Sequence, residues 1–596
     1  MRLYQIFQRY GRNPVMTSTE IRKTLAPELA QYVSDQNSES YTEEDHASWR
    51  YIMKVSQFFL KDKAHVKYLK GLEATGISIE RIPLISEMDE KLQKFGWRAV
   101  PVSGFIPPAT FMEFQATGIL PIACDMRSFD HISYTPAPDI VHEASGHAPI
   151  LADPDYAAFL KRAGEIAKKA IYTQEDIDVY HAIRHLSETK ENPKSTSEEI
   201  KASEKKLEKT ISLNTTVSEA TEVARLFWWS VEYGLIGELE APKIYGAGLL
   251  SSVGESYRCL SKKVKKLPFT MKCTQVTYDI TKPQPQLFVA KSFKEVVRVF
   301  NEYAKTMAYK KGGVYALEKA KLSRFVTTTV LDSGIQISGK LENFKIKNKK
   351  PIYIQIKGPS QLCYENLEIK NQGPHYHQEG FGSPLGILKD LKMSPADLTD
   401  KQLDALGFHK NKKGKLIFES GVAIEGVLKK TFEKDGKKLI LTFDECKVTF
   451  EEEVLFDPSW GPYDMVCGEK VISCFGGAAD RTSFLKATDG FMTPKTSHIS
   501  NFDEKKQDIY NAFKKIREWR QSNQIEISQI KTLIESIKKP TWLLLLEAWE
   551  LVQKRDPNHS FTTELYTLLQ SEMKYSEHKE LIQRGIQMIL ENKGEQ

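Results

Sequence analysis

At 596 residues the chain exceeds what one hydrophobic core serves, which argues for roughly three or four domains. Its 41% hydrophobic and 27% charged residues are ordinary for a globular protein, and no apolar run approaches the ~20 residues needed to span a bilayer, so a membrane role is disfavoured. The net charge of +6, from 84 basic and 78 acidic residues, is too balanced to imply a nucleic-acid partner.

Seven cysteines with no CxxC pair and no framework spacing fit reduced thiols in a cytoplasmic protein. Residues 1–40 read as an N-terminal lead-in. Arg2, Arg9 and Arg12 without an acid before Glu20 faintly suggest a transit peptide, and initiation at Met16 is the plainer alternative.

From Tyr41 to about Lys91 the pattern is helical, opening at Thr42 with Glu43 and Glu44 where acids favour the positive helix end. Between Trp97 and Pro149, prolines, glycines and short apolar runs predict loops and brief strands around a site. A charged insertion of about 175–215, emptiest of large apolar side chains over 186–212, is expected to be exposed, either helical or disordered. Helical periodicity resumes near Glu219 and again from Phe293 to Ala308.

From Thr327 to about Ile472 alternating and β-branched runs replace that pattern, and Asp435-Gly436 between two apolar runs signals a hairpin. Amphipathic helices return from about Asn501, broken at Pro540 and Pro557, with Leu543 to Leu546 as one buried face. The expectation is an α+β multidomain chain: a mostly helical domain over 41–320, a β-rich domain over 325–495 and a small helical C-terminal domain over 501–596.

The chemistry is concentrated in Thr135-Pro-Ala-Pro-Asp-Ile-Val-His-Glu-Ala-Ser-Gly-His-Ala-Pro, where His142 and His147 lie five residues apart. A zinc peptidase spaces its histidines by four on one helix face, whereas five steps place them ~140° apart on a regular helix. Both reach one metal only if the helix ends or loosens near Gly146 and Pro149. Glu232 sits in a helix with large apolar residues on nearly every side, where a carboxylate needs a cation or strong donors. Two imidazoles and one carboxylate with open positions are typical of non-haem iron(II) oxygenases. On spacing alone, ordinary histidines and a buried carboxylate network remain an open alternative.

Four blocks resemble the pterin-dependent aromatic amino acid hydroxylase family: Trp97 to Ile106, Tyr134 to Pro149, Phe227 to Leu235 and Tyr245 to Glu255. A weaker fifth runs through Tyr278 to Pro285 and Val289 to Phe293. The likeness covers roughly Tyr41 to Lys311 and implies that 41–320 is an iron and pterin catalytic domain. It implies Fe(II) bound by His142, His147 and Glu232, with O2 as co-substrate and a tetrahydropterin as cofactor.

By the same resemblance, the aromatic substrate is held by Arg127, Thr135, Asp139, Trp228 and Ser251, with Asp139 also suited to cap the His142 helix. Gly104, Phe105, Ile106, Phe111 and Glu143 border the pterin. The cofactors carry the hard chemistry and the protein holds the geometry.

Trp228 and Ile280 favour phenylalanine over tryptophan or tyrosine as substrate, although the neighbouring Asp279 makes a one-residue alignment error consequential. Pro121 and Phe227 depart from the histidine and tyrosine of animal members, and the family's regulatory domain has no room before Tyr41. Alternatives are tyrosine or tryptophan hydroxylation, a zinc hydrolase using the same ligands, or a non-enzymatic scaffold.

Three further patterns carry less. His181 and His185 have helical metal spacing without a third ligand; His375, His377 and Glu379 are expected on a surface loop; and the Tyr245-Gly-Ala-Gly stretch does not fit a dinucleotide fingerprint.

Overall fold

In the computed structural model, residues 18–103, 106–133, 138–191, 195–280, 282–409, 412–488, 502–522, 526–575 and 577–591 are described. The Glu43–Leu60 helix starts where its acids predict. Thr42 accepts from the Asp45 amide at 3.1 Å while the Asp45 carboxylate accepts from the Thr42 amide at 2.8 Å, a reciprocal cap. The segment expected to hold loops and brief strands pairs Arg98–Val102 with Ile119–Ala123 in parallel, with Ala99 opposite Leu120. It also contains a helix, Pro108–Ala116, entered through prolines that suit a first turn.

The charged insertion is helical. Gln174–Glu191 and Ser197–Leu213 pack on each other, the second opened by a Thr196 and Glu199 capping box and the pair linked by Lys190 and Glu204 at 2.8 Å. Behind it, Glu219–Phe227 follows an Ser218 cap, and Phe293–Ala304 follows an Ser292 cap. Buried Glu219 accepts amides from Ile171 at 3.2 Å and Ala308 at 2.6 Å, fastening three segments at one carboxylate. A four-stranded sheet orders Lys243–Ile244, Leu235–Ile236, Gln286–Ala290 and Lys265–Pro268.

The β-rich stretch forms two larger sheets. In the first, Val326–Leu331 lies between Ile335–Lys347 and the late strand Val471–Gly476, so the start and end of the stretch are neighbours. In the second, Val422–Lys434 and Lys437–Phe450 are joined at Asp435 and Gly436, whose φ of 51° and 74° are what a type I′ hairpin turn requires. His377 corrects one expectation: it is buried, pairs across to Ser360, and has Nε2 2.7 Å from Gln372 Oε1, while His375 alone of the two is exposed.

Five long helices, Gln507–Ser522, Ile527–Ser536, Trp542–Arg555, Ser560–Tyr575 and Lys579–Glu591, complete the described chain. Their apolar faces join those of Glu43–Leu60 and the helices around His142 in one continuous core that includes Trp49, Tyr51, Trp229, Leu543 and Leu581. Arg50 crosses this junction to Glu547 at 2.8 Å and Glu550 at 2.6 Å. Two smaller cores lie in the β-rich stretch, the first shared with Ile171, Ala308 and the buried face of the Gly313–Ser323 helix. Among the described residues no helix is long and apolar enough to cross a membrane, and all seven cysteines are buried free thiols.

Candidate metal and substrate site

Two short π-helical turns carry the three predicted ligands, His142–His147 and Trp228–Glu232. Each is closed by an i to i+5 hydrogen bond, from the Ala148 amide to Glu143 at 3.2 Å and from the Tyr233 amide to Trp228 at 2.8 Å. A π-turn brings residues five apart onto one face, so it answers the spacing that a regular helix rejects. The helix is therefore loosened across His142–His147 and ends there, before a tighter turn at Pro149–Ala152. Gly146 permits it to press on the next segment: a Cβ there would meet Ala247 O at 2.7 Å.

The result is a triangle. His142 Nε2 lies 3.2 Å from Glu232 Oε2, His147 Nε2 lies 3.3 Å from Glu232 Oε1, and the two imidazole nitrogens are 3.2 Å apart. Ligands at ~2.1 Å from one metal with open positions stand ~3 Å from each other, so the set fits a divalent cation. Among the described residues it is the one such group of His, Cys, Asp and Glu; the exposed His181 and His185 do not form another.

Charge agrees with geometry. Burial opposes ionisation of Glu232, but the two imidazoles outweigh it and hold the carboxyl well below its usual range. Burial likewise disfavours a charged His142, yet the Glu232 carboxylate raises it to about 9. The site thus presents an anionic carboxylate to two ring nitrogens, an arrangement that suits a cation. His142 Nδ1 is 3.2 Å from Ser251 Oγ, whose own proton goes to Ala247 O at 2.8 Å. Ser251 therefore accepts from Nδ1–H, which assigns the tautomer that leaves Nε2 for a metal.

Arg127 and Asp139 form a buried pair, and Asp139 also caps the helix that carries His142. Its carboxylate accepts from Arg127 Nε at 2.7 Å and Nη2 at 2.9 Å, and also from the His142 amide at 2.9 Å. Arg127 Nη1 reaches Ser251 O at 3.4 Å, which ties the guanidinium to the serine behind the metal ligand.

The aromatic residues divide into two groups. Phe111 is half-buried, with ring centroids 5.9 Å from His147 and 6.5 Å from Phe227. Trp228 is stacked between Tyr233 at 4.5 Å and Tyr278 at 4.2 Å. Ile106 packs beside the core formed by Val33, Val102 and Phe114. Glu143 is buried, with Oε2 making no hydrogen bond among the described residues and lying 3.8 Å from His147 Nε2; desolvation raises its pKa to about 7 against the pull of His147. Such a carboxyl suits a donor from a ring cofactor or water. Gly104, Phe105 and Thr135 lie outside the described residues.

Three tyrosines escaped the sequence reading. Tyr68 donates to Ser145 O at 2.9 Å and pins the first π-turn; Tyr278 stacks on Trp228; and buried Tyr156 is held far from ionisation by burial and by Glu232. Tyr278 lay inside the weak fifth block, but Tyr68 and Tyr156 stand in helical patterns that mark core residues and nothing more.

The model of the biopterin-dependent aromatic amino acid hydroxylases matches residues 18–184 and 204–345, more than half of the chain, and the chain belongs to that family. The match starts before Tyr41, runs beyond Lys311 into the first β-rich strands, and skips part of the charged insertion. Phenylalanine-4-hydroxylase of Pseudomonas aeruginosa is 28% identical over 278 residues, covering 46% of this chain and 89% of that protein. The Chromobacterium violaceum enzyme of the same name is 27% identical over 275 residues, covering 46% and 78%. A solved structure of the latter, with iron(III) and 7,8-dihydrobiopterin, shares 26% identity at a TM-score of 0.37 and covers 50% of this chain and 93% of that one.

Proposed function

We propose that this chain is a monooxygenase converting phenylalanine to tyrosine with iron(II), O2 and a tetrahydropterin. One arrangement carries the reading: the His142, His147 and Glu232 triangle stands behind Ser251, which also touches a buried guanidinium. Of the five N–H donors of Arg127, two face Asp139 and one faces Ser251 O, which leaves one on each terminal nitrogen without a partner among the described residues. Those two form a fork for the substrate carboxylate.

In this proposal the iron and the pterin together supply the oxidising chemistry when bound. His142, His147 and Glu232 hold the metal, and Ser251 fixes the His142 ring by accepting its Nδ1 proton. Asp139 aligns Arg127 and, through the His142 amide, the first π-turn. By motif, Thr135 and Trp228 are assigned to the substrate, and Gly104, Phe105, Ile106, Phe111 and Glu143 to the pterin. His147 is fully buried, while His142 and Glu232 keep 18% and 15% of their side chains exposed. Phenylalanine is favoured by Trp228 and Ile280, and the relatives above bear that substrate in their names.

We also propose the division into a lead-in of 1–40, a catalytic domain of 41–320, a β-rich domain of 325–495 and a helical unit of 501–596. The free buried thiols support a cytoplasmic location. The test is tyrosine formation by purified iron(II)-loaded protein with and without tetrahydrobiopterin, with tyrosine and tryptophan as competing substrates. Pterin-dependent product that disappears in His142→Ala is expected. No hydroxylation of any of the three amino acids, with iron bound, would overturn the assignment.

A further inference from the structure

The substrate side of the site rests on two segments, 127–133 and 251–257. They are tied to each other by Ser252 Oγ donating to Ser133 O at 3.2 Å and by the Gly254 amide donating to the same oxygen at 3.4 Å. Their far side is covered by residues 501–596, a region outside the family match. Phe129, two residues after Arg127, has its ring 5.6 Å from Trp542 and 5.8 Å from His578, with the Lys506 ammonium 5.7 Å above it. Those partners come from three separate parts of the C-terminal unit.

The second segment is held from the same unit by Arg584. Its Nη1 donates to Val253 O at 2.8 Å, two residues past Ser251, and its guanidinium lies 4.1 Å from the Tyr257 ring centroid. The unit is also anchored by Tyr51, which donates to Leu581 O at 2.6 Å and has its ring 5.1 Å from Trp542, and by the buried Arg50 pairs. The metal ligands meet this wall through the His142 contacts with Ser251 and Asp139 and, within the described chain, make no direct contact with the C-terminal unit. Among the described residues, the hydrogen bonds, ion pairs and ring contacts of His142, His147 and Glu232 are all made with residues between 111 and 251.

We infer that the C-terminal helical unit sets the substrate-carboxylate wall, with Phe129 and Arg584 as positioning residues that fix the Arg127 and Ser251 segments against each other. The inference rests on the proposed substrate role of Arg127. A carboxylate gripped by two parallel hydrogen bonds tolerates little misplacement of its fork, so a loosened wall weakens amino acid binding before it disturbs metal binding.

The experiment compares full-length wild type with Arg584→Met, Arg584→Lys, Phe129→Ala and the milder Phe129→Leu. It reads iron(II) content, KM for phenylalanine and for the pterin, kcat, and phenylalanine binding by anaerobic calorimetry on the iron(II) protein. Arg584→Met and Phe129→Ala should raise the phenylalanine KM and dissociation constant by about tenfold, the scale of one charge-assisted hydrogen bond. Iron content, pterin KM and kcat should stay within about twofold, and Arg584→Lys should recover most of the binding. Unchanged phenylalanine binding with only a lowered melting temperature would overturn the inference, as would parallel loss of iron and amino acid. Wild type that binds phenylalanine but never hydroxylates it would sink the proposed reaction while leaving the wall measurable; wild type that binds no aromatic amino acid would overturn both.

Discussion

Asp139 grips Arg127 through two parallel hydrogen bonds of 2.7 and 2.9 Å, with the two side chains only 4% and 2% exposed. Breaking one partner of such a buried pair leaves an uncompensated charge, which costs roughly 3–5 kcal/mol. Because the same carboxylate caps the His142 amide, Asp139→Asn should lower stability and raise the phenylalanine KM by more than about tenfold. Chemical denaturation and steady-state kinetics check the two effects, and an unchanged KM would remove Arg127 from the substrate side.

Ser251→Ala removes the acceptor of His142 Nδ1–H without touching a metal ligand. Loss of such a supporting partner typically costs about 10–100-fold in metal affinity, so iron should leave the variant at correspondingly lower chelator concentration. A competition titration with a coloured iron(II) chelator measures it. Retention equal to wild type would mean that packing alone orients the imidazole.

The close approach of the π-turns leaves no room for a methyl group. At Gly246 an added Cβ would stand 2.4 Å from Gly234 N and 2.5 Å from Glu232 O, both backbone atoms of the ligand segment. Gly246→Ala should therefore displace Glu232 and reduce iron loading strongly, whereas Gly96→Ala, with nothing near its Cβ but a φ of 73°, should cost only about 1 kcal/mol of stability and no iron. Iron content per chain separates the two variants.

Burial, aided by Arg517 and Arg81, lowers the pKa of His46 to about 4. The unfolded chain has His46 near ~6.5, so between these values the unfolded state binds the extra proton. Stability tied to this residue is complete above about pH 6.5 and declines toward pH 4 with a slope of at most ~1.4 kcal/mol per unit. The buried His377 has the same depressed value and adds to the slope. Unfolding free energies of wild type and His46→Gln, measured near pH 7 and near pH 5, should converge at the lower pH. A constant gap would mean that His46 is as easily protonated folded as unfolded.

Local chemistry was readable wherever one residue type has one use. Thr42 with Glu43 and Glu44 predicted the helix start and Asp435-Gly436 the turn, and His142, His147 and Glu232 do come together as a group that could hold a metal. The form of the distortion at His147 was not readable, because a five-residue spacing demands a loosened helix without saying whether it ends or widens into a π-turn. His377 was misjudged for a related reason: glycine and proline neighbours signal a turn, but a turn that pairs with a strand can bury one side chain while its neighbours stay exposed. The family match likewise stops at 345, while the apolar face of Trp542–Arg555 continues the same core. Periodicity announces that a face is buried and is silent about its partner.

Arg50 and Glu547 are 497 residues apart in the chain. At ~5–20 residues per second of synthesis, the Glu43–Leu60 helix waits on the order of half a minute or longer for the helices that finish its core. Throughout that interval the β-rich stretch is being made and folded in between. Until those helices are made, the Glu43–Leu60 helix keeps an open apolar flank, which Trp542, Leu543 and Leu581 then cover.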